Sequence, residues 1–165
     1  MPVAPAHLRL ARHAGLRRLM HEAGVDALLV TSLSNVAYLS GLFASAAAVV
    51  ITRDTFTLIT DGRYLGIARD VLEEMTGVEL VVTPATIPFD QALAEALCRI
   101  ANGRAGFEAA HFSVKRFRDL QARMSKLGPG VSLEATESLV ERLRIVMRSR
   151  RYSTSAEATC TPART

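Results

Sequence analysis

The chain has 165 residues, 49% of them hydrophobic, with 20 Lys and Arg against 16 Asp and Glu, a net charge of +4 and a pI near 9.6. That length suits a single core, and the apolar content is too high for a disordered chain. The longest unbroken apolar run, Ala46 to Ile51, is far short of the roughly 20 residues of a membrane span, and the first 18 residues hold no secretory h-region, so a cytoplasmic protein without a membrane role is expected.

In chain order, Leu16, Leu19, Met20 and Ala23 fall at i, i+3, i+4 and i+7, which predicts a helix from Leu8 to Ala23 closed at Gly24. The run Ala27 to Val30 is short and wholly apolar, as in a buried strand, and Ser34 is placed to cap a brief helix stopped by Gly41. Two β-branched runs, Ala48–Thr52 and Phe56–Thr60, joined by Arg53-Asp54-Thr55, predict an antiparallel hairpin. A helix follows with Leu65, Ala68, Leu72 and Met75 on one face, ending at Gly77. Three strand–helix cycles complete the pattern. They are Val78–Val82 with a helix carrying Leu93, Ala96, Leu97 and Ile100, and Ala105–Ala109 with a helix capped by Ser113 that carries Phe117, Leu120, Met124 and Leu127. The last is Val131–Glu134 with a helix capped by Thr136 that carries Leu139, Val140 and Leu143. The fold expected is α/β, a mixed sheet of about six strands with helices on both faces.

Residues 1–146 form the predicted domain. From Met147 onward neither apolar period survives, and residues 147–165 are expected to be a disordered basic tail. Up to Glu141 there are 14 basic and 15 acidic residues; after it, 6 basic face 1 acidic, so the charge excess belongs to the end of the chain. Phosphate contact through Arg148, Arg150, Arg151 and Arg164 would be weak and steeply salt-dependent, so a nucleic-acid partner is not expected.

Chemistry-bearing motifs are sparse. Neither a dinucleotide glycine fingerprint nor a P-loop is present, and His21-Glu22 lacks the second His of a zinc-protease helix. His7, His13 and His21 are expected to be solvated, and Cys98 to be a small buried hydrophobe. Cys98 and Cys160 make no disulfide framework and no metal quartet. Asp54 reads as a turn residue and Asp61 as a helix cap.

The segments Val25-Asp26-Ala27-Leu28-Leu29-Val30, Asn35-Val36-Ala37-Tyr38-Leu39-Ser40-Gly41 and Thr60-Asp61-Gly62-Arg63-Tyr64, followed by Gly106-Phe107-Glu108 and by 137–146, resemble the N-terminal domain of the creatinase/prolidase/Xaa-Pro aminopeptidase family. The resemblance implies a ribonuclease H-like fold without metal. Catalysis in that family belongs to a following pita-bread domain, where two Asp, one His and two Glu hold two divalent metals such as manganese, cobalt or zinc. Past Val146 the family's Lys-Asp and Glu-Ile-rich continuation is missing, so no ligand and no cofactor is assigned to this chain. Lost periodicity, lost resemblance and the charge jump coincide there, and the expectation is a reading frame lost near codon 146.

The function so implied is a non-catalytic domain that self-associates and leans over a partner subunit's active-site cleft, with proline-containing peptides met only beside the peptidase domain. Its partners would be a second copy or that absent domain. A freestanding ligand- or protein-binding module of the same fold is the alternative. Asp61, Arg63 and Tyr64, at a strand end where loops gather, are the candidate contact residues, with Asn35 and Tyr38 beside them. The plainer reading has Asp61 capping a helix, Arg63 paired with a carboxylate, Tyr64 packed on Tyr38 and Asn35 satisfying backbone groups.

Overall fold

In the computed structural model, which describes residues 3–100, 103–128 and 130–145, the apolar runs form a six-stranded mixed sheet. Its strands are β1 (Ala27–Val30), β2 (Ala47–Thr52), β3 (Phe56–Asp61), β4 (Val78–Thr83), β5 (Gly103–Glu108) and β6 (Val131–Thr136). They lie in the order β4-β3-β2-β1-β5-β6, and only β2 runs against the rest. The hairpin is β2–β3, with Val49 opposite Leu58. The helices are α1 (Ala6–Glu22), α2 (Leu33–Ser40), α3 (Leu65–Leu72), α4 (Phe89–Cys98), α5 (Val114–Leu127) and α6 (139–145).

Period-two alternation sends each central strand's side chains to opposite sides, so the sheet has two cores. Leu28, Val30, Val49, Ile51, Phe56 and Leu58 meet α1, α2, α3 and α6 on one face. Ala27, Leu29, Ala48, Val50, Ile59 and Phe107 meet α4 and α5 on the other. Gly41 ends α2 at φ 84°, a left-handed geometry that glycine adopts without cost.

Several local expectations change. His7 and His21 are exposed, but His13 is 2% exposed, stacked on Phe56 with ring centroids 3.9 Å apart, its Nε2 3.0 Å from the Leu39 carbonyl. Arg9, one turn earlier, is 4% exposed and donates to the carbonyls of Ala4, Ser40 and Val71. Both occupy the α1 stripe that continues through Leu16 and Met20, so the helix buries two polar heads that it satisfies with carbonyls of α2 and α3. Ser34 does not cap α2, whose N-cap position is Ser32. Thr136 ends β6 and donates to the Phe107 carbonyl instead of capping α6. The helix expected to reach Met75 stops at Leu72, and Leu127 is 45% exposed. Ser113 does cap α5, accepting from the Arg116 N–H. The tail, 147–165, lies outside the described residues.

Candidate functional site

Because five of the six strands are parallel, their C-terminal ends collect on one edge, where α/β sheets gather their loops. At the end of β3, Asp61 accepts the Arg63 N–H at 3.0 Å and pairs with its guanidinium at 2.7 Å. The side-chain hydrogen bond from Arg63 holds the Asp61 carboxyl below the usual range and raises the guanidinium. The Tyr64 hydroxyl accepts the Ser45 N–H at 3.1 Å and lies 2.9 Å from Ser45 Oγ, contacts that pull its pKa down. The Arg63 guanidinium sits 5.4 Å above the Tyr64 ring. Asp61, Arg63 and Tyr64 therefore form one unit anchored on the loop before β2, with Arg63 exposed and Asp61 and Tyr64 half-buried. Asp61 does cap the short turn of Gly62–Tyr64, as the plainer reading held.

Asn35 and Tyr38 belong to a second group, on α2. Register places Phe107 beside Leu29, so Glu108 at the end of β5 meets the residues just after β1. Glu108 is 7% exposed; its Oε2 accepts the Thr31 and Ser32 N–H groups at 2.7 and 2.8 Å, which stabilises the N-terminus of α2. Its Oε1 takes Asn35 Nδ2 at 2.6 Å, and the same nitrogen reaches Glu141 on α6 at 2.5 Å. Arg144 donates to Asn35 Oδ1 at 3.2 Å. Fully buried Asn35 thus joins β5, α2 and α6. Tyr38 lies under two guanidiniums, Arg12 at 4.1 Å and Arg144 at 5.8 Å.

Sequence reasoning did not single out Glu108, Glu141, Arg144 or Arg12. The signal the sequence held for Glu108 was its place in Gly106-Phe107-Glu108, one of the segments that carry the family resemblance. This acidic corner does not fit a metal: the Glu108 oxygens already accept three N–H donors, and Glu141 accepts from Asn35 with His111 Nε2 4.0 Å away. Among the described residues, no group of three or more His, Cys, Asp or Glu could hold a metal ion, and no helix is long and apolar enough to cross a membrane.

The comparisons agree with this architecture. The family model for the Creatinase/Prolidase N-terminal domain matches residues 12–146. An uncharacterized peptidase, YqhT, of Bacillus subtilis is 29% identical over 143 residues, which are 87% of this chain and 38% of that protein, so the chain spans well under half of this curated relative. The N-terminal domain of the cytoplasmic peptidase PepQ from Mycobacterium tuberculosis superposes with a TM-score of 0.71 at 27% identity, over 81% of this chain and 98% of that one. An Xaa-Pro aminopeptidase structure from Streptococcus pyogenes gives 0.68 at 32% identity, over 84% and 99%.

Proposed function

The chain belongs to the Creatinase/Prolidase N-terminal domain family, and from that premise we propose that it is the non-catalytic N-terminal unit of an Xaa-Pro aminopeptidase- or dipeptidase-like metallopeptidase. The observation that carries this reading is the superposition on 98% of a peptidase's isolated N-terminal domain. Metal-dependent cleavage, through a pair of divalent ions such as manganese, belongs in this reading to a second domain, which the residues described above do not supply.

The role left to the chain is self-association and shaping the access of short proline-containing peptides to a partner subunit's cleft, in the cytoplasm. The Asp61–Arg63–Tyr64 unit suits that task. Asp61 fixes a guanidinium whose side chain is 68% exposed, a charged donor aimed at solvent beside an aromatic ring. Asn35 holds the neighbouring helices in place, and Tyr38 offers a half-buried ring. Incubating the purified chain with an Xaa-Pro dipeptide and added manganese is expected to give no turnover above a buffer blank. Appreciable metal-dependent hydrolysis would overturn the non-catalytic assignment.

A further inference from the structure

The sheet is open at both ends: β4 and β6 are its outermost strands, and among the described residues no strand pairs with the outer side of either. An edge presents a row of backbone N–H and C=O groups, which folded chains ordinarily guard with charge, proline or a bulge. β6 is guarded. Its Ser132, Glu134 and Ala135 are exposed, with the Glu134 charge near its middle. β4 carries no such guard. It reads Val-Glu-Leu-Val-Val-Thr, without Pro, Gly or Lys, and pairs with β3 in unbroken register at all six positions. Its single charge, Glu79, is held inside the domain by Arg99 at 2.7 Å and the Thr57 hydroxyl at 3.2 Å. Val78, Leu80, Val81 and Val82 are each left half-buried, although β-branched runs of this kind suit a strand with neighbours on both sides.

We propose that β4 is a pairing edge and that its occupant is β4 of a second copy, running antiparallel, so that two sheets join into one across a two-fold axis. The inference rests on the self-association in the reading above and names the surface that performs it. A two-fold axis perpendicular to the sheet keeps matching faces on the same side, so each residue meets one of its own face. Leu80 packs toward the core under α1 and Val81 toward that under α4. By alternation Val82 shares a face with Leu80, and Glu79 and Thr83 share one with Val81. Centred on Val81, the pairing sets Val81 against itself, Leu80 against Val82 and Glu79 against Thr83. Apolar then meets apolar, polar meets polar, and no like charges are opposed. Centring on Leu80 instead would press Glu79 against Val81. A strand of this length offers about 20 Å of edge, a small contact beside those of tight complexes, so the dimer is weak and concentration-dependent. Docking β4 on β6 of the next copy would leave an edge free at each step and build open chains.

Analytical ultracentrifugation of the full chain should show a monomer–dimer equilibrium with a Kd of about 100 μM or tighter. Val82 packs in neither core, so Val82→Lys should stay folded by circular dichroism while its charge on the edge weakens the dimer about tenfold or more. Cross-linking reads the register and serves if that variant does not fold. In a Cys98→Ala, Cys160→Ala background, Val81→Cys should link two copies by a disulfide under mild oxidation, because directly opposed residues bring their Cα atoms to about 4.5–5.5 Å. Thr55→Cys, exposed in the turn between β2 and β3, should not. A chain that stays monomeric at about 500 μM, well above the expected Kd, overturns the pairing and the self-association together. A dimer that Val82→Lys does not weaken, or in which Val81→Cys links no better than Thr55→Cys, leaves self-association standing and overturns the edge. Oligomers that grow beyond two, as open chains would, overturn the two-fold pairing as well.

Discussion

His13 carries an acid-sensitive part of the stability. Burial against Phe56 lowers its pKa to about 4; the hydrogen bond to the Leu39 carbonyl opposes this, and the nearby charges of Arg17, Arg9 and Arg12 add to the lowering. In the unfolded chain the ring titrates near 6.5, so as pH falls the unfolded state takes up the proton first. The contribution of the neutral ring is therefore complete above pH 6.5 and is lost as pH falls toward 4, below which both states are protonated. Linkage puts the loss between pH 7.5 and 5 at about 2 kcal/mol. Urea unfolding at those two pH values should show this drop in the wild type and a much shallower one in His13→Gln. Parallel slopes in the two proteins would mean that the buried imidazole is not the titrating group. His13 was legible in principle, because it shares the i, i+3, i+7 stripe with Leu16 and Met20. Judging it by residue type hid it, and Arg9, four residues earlier on the stripe, was hidden the same way.

At the scale of elements, α2 depends on an acceptor from another part of the chain. Ser32 occupies the N-cap without a side-chain cap bond, and Glu108 supplies the oxygens that the first N–H groups need. Glu108 also holds Asn35, which holds α6 through Glu141 and Arg144. Glu108→Gln and Asn35→Leu should each cost about 2 kcal/mol, the penalty of stranding buried polar partners. In a double-mutant cycle by chemical denaturation, their coupling should be about 1–2 kcal/mol; strict additivity would show that the two residues do not act together. Strands and their order of appearance were legible because β-branched runs such as Ala-Val-Val-Ile-Thr are buried on both faces and leave a mark in composition. The corner around Asn35 was not. Its bonds join positions 73 and 106 residues apart, and no local spacing announces a contact created only when β5 docks beside β1. Ser34 and Thr136 were assigned as caps from residue type alone, but tertiary neighbours took over the capping of α2 and drew the Thr136 hydroxyl to β5.

For the molecule as a whole, the first core closes only with α6. Leu139, Val140 and Leu143 are buried in it beside Leu16 and Met20. A chain shortened to end at Ser138 should lose its cooperative thermal transition, whereas one ending at Val146 should melt with the full chain. Calorimetry distinguishes these outcomes, and a normal melt for the shorter chain would demote α6 to an ornament of the surface. Most of the ordering of layers was legible from the helical stripes. Which stripe faces which side of the sheet was not, because that depends on β1 pairing in parallel with β5 across an intervening hairpin.

A Cβ added at Gly15 in α1 would come within 2.7 Å of Leu143 Cδ1, so a side chain there would force Leu143 to shift. The seventeen residues of α1 are made before the partners they need, which come from Leu39, Val71, Met75 and finally Leu143. During synthesis the opening helix must wait for almost the entire domain, its polar heads in water and its apolar stripe uncovered. The domain therefore passes through a long interval in which α1 is made but uncovered, and chaperone occupancy should be greatest on α1 until α6 emerges.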